Sequence, residues 1–148
     1  MKLILNLLFF CAFTASFLTT TGFAQTATLT IRVPNLSNNT GKILFAVYKD
    51  NQNWLTRQPY REGIMAIKGK YVEITFTDLE AGKYALSCFH DENSNNELDL
   101  NFLGIPTEGF SFSNLSGMVY RKPKFKDCQF SLANGDKKTV VMTVIYFL

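Results

Sequence analysis

After its first two dozen positions, this chain alternates apolar and polar residues along much of its length. Leu29, Ile31 and Val33 fall on one face of an extended segment, and Thr28, Thr30 and Arg32 on the other. That period of two is what a half-buried strand requires. Val72, Ile74 and Phe76 alternate in the same way with Tyr71, Glu73 and Thr75. Ile43 to Tyr48 and Tyr84 to Phe89 are almost continuously apolar, which predicts central strands covered on both faces. Phe125 to Leu132 and Thr139 to Phe147 read as two more strands, and Gly63 to Ile67 as a weaker one. Turn chemistry separates them at Asn38-Asn39-Thr40-Gly41, Lys68-Gly69-Lys70, Ala81-Gly82 and Ala133-Asn134-Gly135-Asp136. A sustained 3.6-residue period is missing; one helical turn is expected near Asn53-Trp54-Leu55. About seven short strands with regular turns predict an all-β fold, an antiparallel immunoglobulin- or transthyretin-like sandwich. With no linker or repeat to divide it, residues 25–148 read as one domain.

Leu79-Glu80-Ala81-Gly82-Lys83-Tyr84 sharpens that reading. The L-x-x-G-x-Y pattern ahead of a buried strand matches a tyrosine corner, in which the phenol bonds backbone a few residues upstream. The alternative is a tyrosine simply packed at a strand start.

Residues 1–24 stand apart. Lys2 opens a positive start, Leu3 to Leu18 is almost wholly apolar, and the small residues Gly22 and Ala24 flank Phe23 ahead of Gln25. This is the pattern of a cleaved secretory signal peptide. The apolar run falls short of the ~20 residues that span a bilayer, so no transmembrane anchor is expected after cleavage. The expected destination is periplasmic or extracellular. A net charge of +3 gives no reason to expect a nucleic-acid partner. The charges are nevertheless unevenly spread. Asp91, Glu92, Glu97 and Asp99 cluster, and Arg121, Lys122, Lys124 and Lys126 form a basic run. That run reads as a solvated face or as a contact for an anionic polymer.

Cys88 and Cys128 both lie beyond the leader. In an exported protein such a pair implies a disulfide, although each thiol also suits an apolar strand as a small buried hydrophobe. A closed loop of about 40 residues would stabilise by about 3–4 kcal/mol in the chain-entropy account.

The most specific chemistry sits in His90-Asp91-Glu92-Asn93-Ser94-Asn95-Asn96-Glu97-Leu98-Asp99. Oxygen-bearing side chains recur at alternate positions, the spacing that lets a short loop wrap a hard cation such as Ca²⁺. Asp91, Asn93 and Asn95 would offer side-chain oxygens, Glu97 its carbonyl, and Asp99 a further carboxylate or a water contact. Two departures lower the expected affinity. Asn96 stands where such loops carry Gly, and Phe102 where they carry a bidentate Glu; Glu108 is the next carboxylate downstream. Expected affinity is on the order of 10⁻⁴–10⁻³ M. The alternative is an Asx-rich turn held by its own side-chain-to-backbone bonds.

Catalytic residues are not expected. His90 is the sole histidine, and a zinc site needs three or four ligands; a structural, hydrogen-bonding histidine is the simpler reading. Gly109-Phe110-Ser111-Phe112-Ser113 starts like a nucleophile elbow but ends in Ser, with no helix pattern after it. No phosphate-loop or dinucleotide fingerprint occurs. Trp54, Phe110 and Phe112 read as exposed aromatics for partner contact. The segment Gly104 to Asn114, with its Gly, Pro, aromatic and hydroxyl residues, suits either contact with carbohydrate or peptide or a structured cover on the sandwich end.

Taken in order, Ala81-Gly82-Lys83-Tyr84-Ala85, then His90-Asp91-Glu92-Asn93 running to Leu98-Asp99, then Gly104-Ile105-Pro106-Thr107-Glu108-Gly109-Phe110 and Ser113-Asn114 resemble the DUF2141 family of small exported bacterial proteins. The resemblance implies an extracytoplasmic sandwich of immunoglobulin or transthyretin type and carries no established function. The family's loop resembles H-D-E-N-x-N-G-x-L-D, so Asn96 replaces its Gly. The sequence thus leads to an exported, non-enzymatic sandwich that binds calcium weakly and presents an adjacent loop to a partner. The alternative is a metal-independent module for an envelope polysaccharide or surface protein, using the aromatics and the basic run.

Overall fold

A computed structural model describes residues 25–51, 53–117 and 121–147. The expected signal peptide lies outside the described residues. Two sheets face each other. The first is built on β1 (Ala27–Pro34), which pairs antiparallel with β4 (Tyr71–Leu79) on one side. On its other side β1 pairs with β8 (Lys137–Val141). The second sheet runs β3 (Arg61–Ala66), β2 (Lys42–Tyr48), β5 (Gly82–Asp91) and β6 (Phe110–Phe112), with β7 (Phe130–Leu132) added against the start of β5.

Alternation decides what each strand buries. Ala27, Leu29, Ile31 and Val33 of β1 meet Ile43, Phe45 and Val47 of β2 and Tyr84, Leu86 and Cys88 of β5 in one core. Each such aliphatic side chain contributes about 1.5–3 kcal/mol on burial. A second, smaller cluster gathers Tyr48, Trp54, Ala85, Phe125 and Cys128 at one end of the second sheet. The tyrosine corner is present: the Tyr84 hydroxyl donates to the Glu80 carbonyl at 2.7 Å, with the ring fully buried.

The structure corrects four details. The β1–β8 pair is parallel, not antiparallel, because β8 returns from the far end of the molecule rather than through a hairpin. Phe125 to Leu132 is not one strand. A helical turn, α1 (Phe125–Cys128), precedes β7; it sends Phe125 and Cys128, three positions apart, into the smaller cluster together. Thr139 to Phe147 holds only part of a strand, continued by an isolated bridge between Ile145 and Phe110. Finally, β2 and β5 are not covered on both sides: Leu44, Ala46, Ser87 and Phe89 remain half-exposed on the outer face.

Candidate functional site

Asp91 ends β5, and the chain wraps around its carboxylate. The residue is 0 % exposed. Its Oδ1 accepts from the Asn95 amide at 3.0 Å and its Oδ2 from the Asn96 amide at 2.9 Å. Asn93 Oδ1 also accepts from Asn95 N, and Asn95 Oδ1 from Glu97 N at 2.8 Å, forming two successive Asx turns. The turns need left-handed backbone at Ser94 and Asn96, each with φ of 65°. Asn96 therefore adopts the conformation for which glycine is the usual choice, at a strain Asn tolerates better than most residues.

The loop's remaining side chains converge. Asn93 Nδ2 donates to Asp99 Oδ2 at 2.6 Å, and Asn95 Nδ2 reaches both Asp99 oxygens at 3.1 and 3.2 Å. Asn93, Asn95 and Asp99 thus form one hydrogen-bonded ring, to which Asp91 is joined through the Asn95 backbone amide. Each side-chain amide's Oδ1 is held by the Asx turn it caps, which leaves its Nδ2 facing Asp99. Glu97 stands apart: its side chain is exposed and pairs with Arg57 at 3.2 Å. Glu108 folds back onto the loop as a brace. Its Oε1 accepts from Glu92 N at 3.0 Å and its Oε2 from Asp99 N at 3.2 Å, so one buried carboxylate ties both ends of the loop. Lys42 Nζ lies 3.5 Å from Asp91 Oδ2 and supplies countercharge. Among the described residues, no three His, Cys, Asp or Glu side chains are gathered as a metal cluster. Ligation here would rely on amide and carbonyl oxygens alongside the two aspartates.

The loop is also clamped from behind. Gly41, at φ +70°, passes so close to Asp91 that a Cβ would collide with the Asp91 carbonyl. His90 is fully buried, with Nε2 2.8 Å from the Thr40 carbonyl and Nδ1 2.7 Å from the Tyr146 hydroxyl. A carbonyl only accepts, so Nε2 carries a hydrogen; in the neutral ring Nδ1 then accepts from Tyr146. Both nitrogens are engaged, tying the end of β5 to the β1–β2 connection and to the chain after β8. Nothing in the apolar run around Tyr146 signalled this contact, and neither Lys42 nor Gly41 carries a sequence pattern pointing to Asp91.

Three expectations are corrected here. Cys88 and Cys128 are free thiols, not a disulfide. Cys88 faces the inter-sheet core and Cys128 the smaller cluster, so the two sit in different packing environments. Burial pushes the Cys88 thiol up to about 12, and burial together with nearby Asp127 pushes Cys128 up to about 11. Trp54 is not exposed: it packs edge-on against Tyr48 and Phe125, and its Nε1 donates to the Pro123 carbonyl at 2.8 Å. Phe110 is likewise buried, whereas Phe112 is half-exposed. The most exposed large apolar side chains among the described residues instead lie just past the acidic loop, where Phe102 is 94 % exposed and Leu103 67 %. Asn101 shapes that tip, its Oδ1 accepting from Leu103 N and Ile105 N. Its position after an Asx-rich loop was the one available signal.

A family model described as an uncharacterised protein conserved in bacteria, DUF2141, matches residues 31–140. No match was found among curated proteins or among solved structures. No helix among the described residues is long and apolar enough to cross a membrane.

Proposed function

The chain belongs to the DUF2141 family of uncharacterised bacterial proteins, and on that premise we propose an exported, non-enzymatic sandwich that binds calcium weakly through Asp91–Asp99. The ion would hold the segment from Gly104 to Asn114 in position for an envelope protein or polysaccharide. The observation that carries this reading is that the loop brings two carboxylates into one hydrogen-bonded cluster, Asn95 bonding buried Asp91 through its backbone N–H at 3.0 Å and Asp99 through its Nδ2 at 3.1 and 3.2 Å. Calcium takes six to eight oxygens from flexible carboxylate, amide, carbonyl and water donors. A carboxylate has about four lone-pair sites, so Asp91 retains acceptor capacity after taking two amide hydrogens. Glu108 links loop and segment covalently and by hydrogen bond, so ordering one orders the other.

One observation favours the metal-free reading. Lys42 and two backbone amides already neutralise Asp91, which would leave a self-sufficient Asx turn serving a metal-independent binding module. Calcium titration calorimetry beside Asp99→Asn separates the two. Asp99 is chosen because removing buried Asp91 would orphan two amides and test the fold. Saturable binding with a Kd on the order of 10⁻⁴–10⁻³ M, weakened in Asp99→Asn at unchanged thermal stability, supports calcium. No heat in the parent protein assigns the loop to the plain turn.

A further inference from the structure

The outer face of the five-stranded sheet is an apolar groove of about 1460 Å³. Its floor follows from strand alternation: Leu44 and Ala46 of β2, Phe89 of β5 and Phe112 of β6 point away from the core. Ile64 of the edge strand β3, 55 % exposed, extends the floor on one side. Leu98, Ile105 and Pro106 wall the groove from the acidic-loop side.

A strap crosses this floor. Arg57 belongs to the β2–β3 connection, at the Tyr48 end of the sheet. Glu97 belongs to the β5–β6 connection, at the opposite end, where Asp91 pairs with Lys42. Seven residues of β2 put those ends about 20 Å apart. Arg57 and Glu97 nevertheless meet at 3.2 Å, so both connections arch inward over the sheet.

The rim is cationic. Arg57 is balanced by Glu97, which leaves Arg121 and Lys122 against Glu62. Lys122 spends one hydrogen on the Leu55 carbonyl at 3.5 Å and keeps two more. A sugar would leave most of its hydroxyls facing hydrocarbon on this floor, at a cost for each unpaired group. We infer that this groove binds a single-chain amphiphile with an anionic head, the alkyl chain lying on Leu44, Ala46 and Phe89 beneath the Arg57–Glu97 strap and the head meeting Arg121 and Lys122. The site stands whether or not the acidic loop takes calcium.

The test is calorimetric titration of the purified protein with laurate, and with dodecanol as the uncharged match. Saturable laurate binding is expected. Losing a charged partner costs about 1.5–3 kcal/mol, so dodecanol, or reversal of the head contacts by Arg121→Glu with Lys122→Glu, should bind roughly tenfold or more weakly. Leu44→Arg should abolish binding, as should Ile64→Glu, which alters a more exposed position and spares the fold. Urea melts of every variant establish that it is folded. Absent laurate binding, or binding unchanged in Ile64→Glu, overturns the proposal. Equal affinity for dodecanol removes the anionic head from it, and binding of phosphatidylglycerol vesicles without laurate binding replaces it with a membrane surface.

Discussion

Ser111 and Ser113, two positions apart around β6, have opposite hydrogen-bonding fates. Ser113 Oγ donates to the Cys128 carbonyl at 2.7 Å and accepts from Leu86 N at 2.8 Å. Ser111 Oγ is equally buried and, among the described residues, finds no partner. An unpaired buried hydroxyl carries a desolvation penalty of about 1–3 kcal/mol, and removing one partner of a made bond leaves the other with the same cost. Ser111→Ala is therefore expected to raise the urea midpoint, by about 1 kcal/mol of stability, and Ser113→Ala to lower stability by about 1–3 kcal/mol. Both serines looked alike in the sequence as remnants of a nucleophile elbow. Residue type and spacing announced the Asx turns well, because Asp and Asn bond backbone only a few residues away. They said nothing of Lys42, Gly41 or Tyr146, whose contacts with Asp91 and His90 cross more than 45 residues of chain.

The elements legible in the sequence were those with one wet face. β1 and β4 declared themselves by alternation, and Tyr84 announced its corner through the turn before it. Legibility failed where burial comes from a local cluster rather than from the inter-sheet core. Phe125, Cys128, Phe130 and Leu132 present apolar residues at spacings of three, two and two, which suits a strand until the smaller cluster claims the first pair as a helical turn. Trp54 is the hub of that cluster, touching Tyr48, Phe112 and Phe125. Trp54→Ala should cost about 3–5 kcal/mol in urea unfolding. Trp54→Phe keeps most of the ring contact and forfeits the bond to the Pro123 carbonyl, so about 1–2 kcal/mol is expected. Equal losses in both would mean the indole hydrogen bond, not the packing, anchors the segment.

For the whole molecule, stability at high pH is set partly by the two thiols. In the folded state both titrate above the ordinary value of 9.0. Between about pH 9 and the folded values the unfolded chain has released protons that the native state still holds, so stability falls as pH rises through that window and is fully present below it. Urea midpoints are expected to hold from pH 7 to 8.5 and to decline above pH 9. Ellman's reagent at pH 8 should leave Cys88 and Cys128 unreacted in the native protein and label both in denaturant. A disulfide would instead give neither signal without reductant. The sandwich itself was readable at this scale from turns and strand count. The parallel seating of β8 beside β1 was not, since nothing in a strand's own residues records its direction. That seating has a mechanical consequence. The five registered pairs from Thr28–Lys137 to Arg32–Val141 lie side by side, with the chain entering at one end of the seam and leaving at the other. Tension applied through the two chain ends would peel away the Ile145 bridge first. It would then load every bond of the seam in shear at once, so this protein should resist pulling far better than a hairpin of equal length, which unzips one rung at a time.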